Sequence, residues 1–151
     1  MSIIFSQKAL LTEKYIITES THNEYDRTEI DIERKGYFKF YNTDKQELYF
    51  ANLSDNNDDQ SYGKVLNLKA TETEETDSTY GSEVINFRWK YYNTYDDETG
   101  YATIRIVKIY KRIGIAFTLT MLLPDLDVFE YKGYIDSEEE DEWRIESPCL
   151  R

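Results

Sequence analysis

A chain of 151 residues, 40% apolar and carrying 14 Tyr and 7 Phe, has the material for one independent core, and that aromatic content excludes a disordered chain. Thirty acids against 18 Lys and Arg leave a net charge of −12, which argues against unaided binding to nucleic acid or an anionic membrane, because phosphate binding needs clustered cations. With 6 Gly, 2 Pro and a single Cys, the composition excludes collagen-like and Pro-rich chains and any internal disulfide.

The opening MSIIFSQKALLTEKYIITE has apolar patches at residues 3–5 and 9–11 but no basic leader, continuous apolar stretch or small-residue cleavage site. No run in the chain approaches the roughly 18 apolar residues of a membrane span. The expected location is therefore cytoplasmic, and residues 3–11 read as a short helix. Strands are expected at residues 10–18, 28–33, 37–41, 47–53 and 64–70, with a polar stretch at 54–63. The clearest pattern follows. In residues 84–92, Ile85, Phe87, Trp89 and Tyr91 alternate with Val84, Asn86, Arg88, Lys90 and Tyr92, the period of a strand with one buried face. A turn rich in Asp and Gly at 93–100 leads to a strand with Ala102, Ile104, Ile106 and Lys108 on one face and Thr103, Arg105, Val107 and Ile109 on the other. Residues 115–123 and 128–135 complete a four-strand meander.

About nine strands joined mostly by short turns predict a mainly β fold. The first choice is a single antiparallel meander closing into a small up-and-down barrel, since closure removes exposed edges; a β-sandwich is second. The barrel domain spans residues 1–135, and residues 136–151 form an acidic C-terminal extension. There Ser137-Glu138-Glu139-Glu140 fits a capping box opening a short terminal helix near Trp143. In strand number and meander the architecture resembles the lipocalin and fatty-acid-binding group, small barrels that hold an apolar ligand. The Gly-x-Trp signature of a lipocalin first strand is absent, since no Trp precedes Trp89, and no ligand residue carries over.

Motifs for chemistry are missing. His22 is the only histidine, so neither a zinc spacing nor a Ser–His–acid triad can be assembled from neighbouring residues. There is no G-x-S-x-G and no Gly-rich phosphate loop. The acidic run at 55–60 resembles a calcium loop only in its first positions; Gln60 stands where Gly is required and Leu66 where the bidentate Glu belongs. The expectation is a protein without catalytic residues, metal or cofactor.

Charge is distributed unevenly. Acids crowd into residues 55–59, 72–77, 96–98 and 136–142, whereas Arg88, Lys90, Arg105, Lys108, Lys111 and Arg112 give the meander a basic wall. The segments 19–26, 72–77 and 136–142 are expected at one end of the barrel. This predicts a non-enzymatic acidic binding protein that inhibits or neutralises a basic partner by surface contact, with a nuclease or its nucleic-acid-binding groove as the type of partner. Small acidic proteins of this kind recur among toxin-immunity and anti-CRISPR proteins. Glu72, Glu74, Glu75, Asp77, Glu138, Glu139, Glu140, Asp141 and Glu142 would supply the charge and Trp143 an apolar anchor. The alternative is a small apolar-ligand-binding barrel with Phe87, Trp89, Phe117, Met121 and Phe129 lining a cavity. A third reading is self-association through an unclosed sheet edge.

Overall fold

The computed structural model describes residues 10–55, 60–73 and 80–137. Strand β1 (Glu13–His22) turns at Asn23 and Glu24, both with positive φ, into the two-residue β2 (Tyr25–Asp26), which pairs back on it. Helix α1 (Thr28–Glu33) follows, then β3 (Gly36–Asn42), β4 (Leu48–Ser54), β5 (Ser61–Thr73), β6 (Ser82–Asn93), β7 (Glu98–Lys111), β8 (Gly114–Leu122) and β9 (Val128–Ser137). Apart from β2, each strand pairs antiparallel with the next in the chain, and β9 returns to β1 from Glu13↔Ser137 to His22↔Phe129. The result is a closed eight-stranded barrel, which excludes the sandwich. Among the described residues, closure leaves unpaired the outer side of the short β2 and the side of β5 beyond Lys64, where the β4 ladder ends.

Two irregularities supply curvature. Thr18 bulges from β1 between Ile17 and Glu19, and Asn67 and Leu68 bulge from β5 between Leu66 and Lys69, with Asn67 in the left-handed region at φ 57°. Opposite the first bulge, β9 carries Gly133, where an added Cβ would lie 1.7 Å from the Ile16 carbonyl oxygen. Only a residue without a side chain permits that approach.

The period-two pattern of the sequence becomes inside and outside. Ile85, Phe87 and Trp89 are buried while Arg88 and Lys90 are exposed. Phe38, Phe40 and Phe50 fill the lumen from the other side, and the rings of Phe50 and Trp89 meet edge to face at 5.3 Å. The lumen is a packed aromatic core along most of its length.

Two expectations are corrected. Residues 28–33 are helix, not strand. Ile30 and Ile32, whose alternation imitates a strand, are exposed, and the buried residues are Asp31 and Arg34, spaced i,i+3 on one helical face. Glu29 and Asp31 in the first turn complement the helix dipole, a start signal that the alternation masks. Lys108 does not join the outer basic wall; it points into the barrel with only 3% of its surface exposed. Chain direction corrects the charge map as well. The β1–β2 turn and α1 lie at one end with the β6–β7 and β8–β9 turns, whereas Glu72 near the end of β5 and Asp136 near the end of β9 lie at the other. Segment 19–26 is therefore at the opposite end from Glu72 and Asp136. Ser137 is the last residue of β9, paired with Glu13, and the expected terminal helices otherwise fall outside the described residues. Among the described residues, no helix is long and apolar enough to cross a membrane.

Candidate functional site

Each end of the lumen carries a buried polar cluster, and the two differ in what they leave open. At the end where β7 finishes, Lys108 Nζ donates to both carboxylate oxygens of Glu13 at 2.9 and 2.8 Å and lies 3.1 Å from Glu83 Oε1. The Tyr15 hydroxyl donates to Glu13 Oε1 at 2.9 Å. Burial alone would lower the Lys108 pKa, but the charge and hydrogen bonds of Glu13, with Tyr110 and Glu83, outweigh it and the net direction is up. Burial first and then the Glu13 charge push the Tyr15 phenol well above its ordinary value. These groups satisfy one another in a closed plug.

The opposite end, beneath α1, contains a cavity of about 280 Å³. Its floor is apolar, formed by Trp89, Met121, Phe129 and Tyr131. Trp89 is fixed there because its indole N–H donates to the Phe50 carbonyl at 2.9 Å. The helix side is held by a buried network. Arg34 Nη1 donates to Asp31 Oδ1 at 3.0 Å and to Asn52 Oδ1 at 3.3 Å, and the Ser20 hydroxyl donates to the other Asp31 oxygen. Arg27, just before α1, projects its guanidinium over the Phe129 ring, 5.7 Å from the centroid. Phe129 stacks in turn on His22 at 4.1 Å. His22 is thus a half-buried strand-end residue, 3.5 Å from Asp127. Asn23 donates to Asp127 at 2.9 Å, and that hydrogen bond leads the effects that hold its carboxyl below the ordinary carboxylate range.

Across the mouth, the β6–β7 turn contributes Asp96, and the first position of β7 contributes Glu98, to the cavity wall. The turn is built by Asn93, whose side-chain oxygen accepts from the Tyr95 and Asp96 amides, and by Asp96, which accepts from the Glu98 amide at 3.1 Å. Tyr91 lies over Gly100, its cross-strand partner, and tilts against Trp89 at 5.3 Å. Burial, followed by the charges of Asp96, Glu98 and Asp125, raises the Tyr91 pKa.

Of the five residues expected to line a cavity, Trp89, Met121 and Phe129 do so. Phe87 and Phe117 are packed away from it, Phe87 against Phe50 at 5.1 Å and Phe117 against Tyr15 at 5.3 Å. Arg27, Asp31 and Arg34 escape a strand reading of residues 28–33; the i,i+3 pairing of Asp31 with Arg34 was the available signal. Of the expected acidic surface, Glu72 is exposed on β5, and Glu74, Glu75, Asp77, Glu138, Glu139, Glu140, Asp141, Glu142 and Trp143 lie outside the described residues. No group of three or more His, Cys, Asp or Glu among the described residues is placed to hold a metal ion.

Fold and site together define a helix-capped, eight-stranded antiparallel barrel with a small polar-rimmed cavity at one mouth. Comparison with protein-family models, curated proteins and solved structures found no match.

Proposed function

We propose that the protein binds a small molecule without transforming it, and that the ligand occupies the cavity under α1. The supporting observation is the localisation of that space. A lumen otherwise filled by aromatic rings opens into about 280 Å³ at the end where a helix, an apolar floor and several oriented polar groups converge. The volume falls just below the ~300–1,000 Å³ common for ligand pockets, which favours a compact ligand over a long acyl chain. The competing surface reading, an acidic inhibitor of a basic protein, draws on residues of which Glu72 alone is described.

The test uses the neutral fluorophore N-phenylnaphthylamine and a Trp143→Phe background, so that Trp89 is the sole tryptophan. Saturable one-to-one binding with quenching of Trp89 is expected. Met121→Phe, which fills the cavity, should weaken it, and Glu72→Lys should leave it unchanged. Absence of saturable binding, or binding indifferent to Met121→Phe, would remove the cavity reading.

A further inference from the structure

Taking the cavity as the binding site, we infer that it is built for a zwitterion with a flat apolar body, of the size and chemistry of an aromatic amino acid. The inference follows from the charges that remain once the internal network is satisfied. Asp31 and Arg34 neutralise each other at 3.0 Å, with Ser20 and Asn52 taking further bonds, so a ligand meets them as a polar wall without net charge. The side-chain oxygen of Asn93 is occupied by its turn, its amide donates to Ser61 at 2.8 Å, and Trp89 donates to Phe50. Three charged groups on the wall are left: Arg27, Asp96 and Glu98. None of the three makes an ion pair among the described residues.

Their placement is not random around the rim. In the closed order β1-β3-β4-β5-β6-β7-β8-β9, β1 lies four strands from β6, and β3 lies four from β7. Arg27 and α1 sit on the β1–β3 connection, and Asp96 on the β6–β7 connection with Glu98 at the first position of β7, at the same end. One cation therefore faces two carboxylates across the mouth, with Trp89, Met121 and Phe129 beneath. Burial is the first cause of the raised Tyr91 pKa, and the charges of Asp96, Glu98 and Asp125 add to it on the same wall. A simple anion matched to Arg27 would be opposed by the carboxylates, and a simple cation would leave Arg27 desolvated without a counter-ion. A carboxylate and an ammonium on one molecule satisfy both sides, and an aromatic body covers the apolar floor.

Three probes of similar shape separate the possibilities: phenylalanine, phenethylamine, which lacks the carboxylate, and hydrocinnamate, which lacks the ammonium. In the Trp143→Phe background, phenylalanine is expected to bind about tenfold more tightly than either single-charge probe. Arg27→Gln should erase its advantage over phenethylamine, and Asp96→Asn with Glu98→Gln its advantage over hydrocinnamate. N-phenylnaphthylamine should still bind both variants, which would show the cavity intact. Equal binding of a single-charge probe overturns the inference, as does a preference that survives both sets of substitutions. If the fluorophore saturates the site and phenylalanine does not bind, the zwitterion inference fails while the cavity reading stands. If neither binds, both fall.

Discussion

At the scale of the residue, the decisive feature of the barrel floor is one ammonium between two carboxylates. Lys108 is buried with Glu13 and Glu83, and removing it would leave two acids in the lumen without a counter-charge. Breaking a buried pair in this way costs about 3–5 kcal/mol, so Lys108→Met should lower the unfolding free energy by that order in urea titration. Replacing Lys108, Glu13 and Glu83 together by Met, Gln and Gln should recover most of the loss, because the penalty lies in the uncompensated charge. The same cluster sets an alkaline limit. Lys108 and Tyr15 both have folded pKa values raised above their ordinary 10.5 and 10.0, so their contribution is complete below those values and disappears as pH rises through the folded ones. Stability should hold up to pH of about 10 and then decline, with the Lys108 part of the decline missing in Lys108→Met. Strand alternation places Lys108 on a face with Ile104 and Ile106, but its charge assigned it to the outer wall, and the structure puts it inside. Its partners were not legible: Glu13 is 95 residues away, and only closure of β9 onto β1 brings that strand round to the floor.

At the scale of the element, the strands of the meander could be read because each buries a continuous apolar face with period two. Helix α1 could not be read the same way, because its stability comes from a polar face. Ile30 and Ile32 mimic a strand, whereas the residues that fix the helix, Asp31 and Arg34, bond to Ser20 and Asn52 on other elements. Sequence alone does not reveal those partners. The cavity shared this fate: Trp89, Met121 and Phe129 were visible as inward residues, but its charged rim rests on the placement of α1 and the β6–β7 turn. Glycines show the same dependence on neighbours. Added Cβ atoms at Gly63 and Gly133 would lie 1.7 Å from the backbone oxygens of Lys90 and Ile16, so Gly63→Ala and Gly133→Ala must displace main chain and should each cost more than about 2 kcal/mol. At Gly114 no atom lies within 4 Å, and only the φ of +146° opposes a side chain. Gly114→Ala should therefore cost about 1–2 kcal/mol, and thermal unfolding of the three variants should rank them in that order.

At the scale of the whole molecule, closure is the property on which both the plug and the cavity depend. β1 is the seam: it pairs with β3 through Lys14, Tyr15 and Ile16, and with β9 from Glu13 to His22. A charge of −12 keeps such molecules apart in water, but charge does not protect a long open strand edge once one is created. Ile16 sits where both ladders run side by side and faces outward, half-buried, so its side chain contributes little to the lumen. Ile16→Pro would remove a ladder donor and impose a ring between paired strands while leaving the core composition nearly unchanged. If closure governs solution behaviour, that variant should populate an open sheet and associate through the freed edges of β3 and β9. Light scattering should then rise with protein concentration, before any loss of far-ultraviolet strand signal on heating. Ile16→Ala, which deletes the side chain but keeps the amide, should remain monodisperse. Monodisperse Ile16→Pro with native strand content would show that the barrel tolerates a broken seam and that closure is not what prevents association.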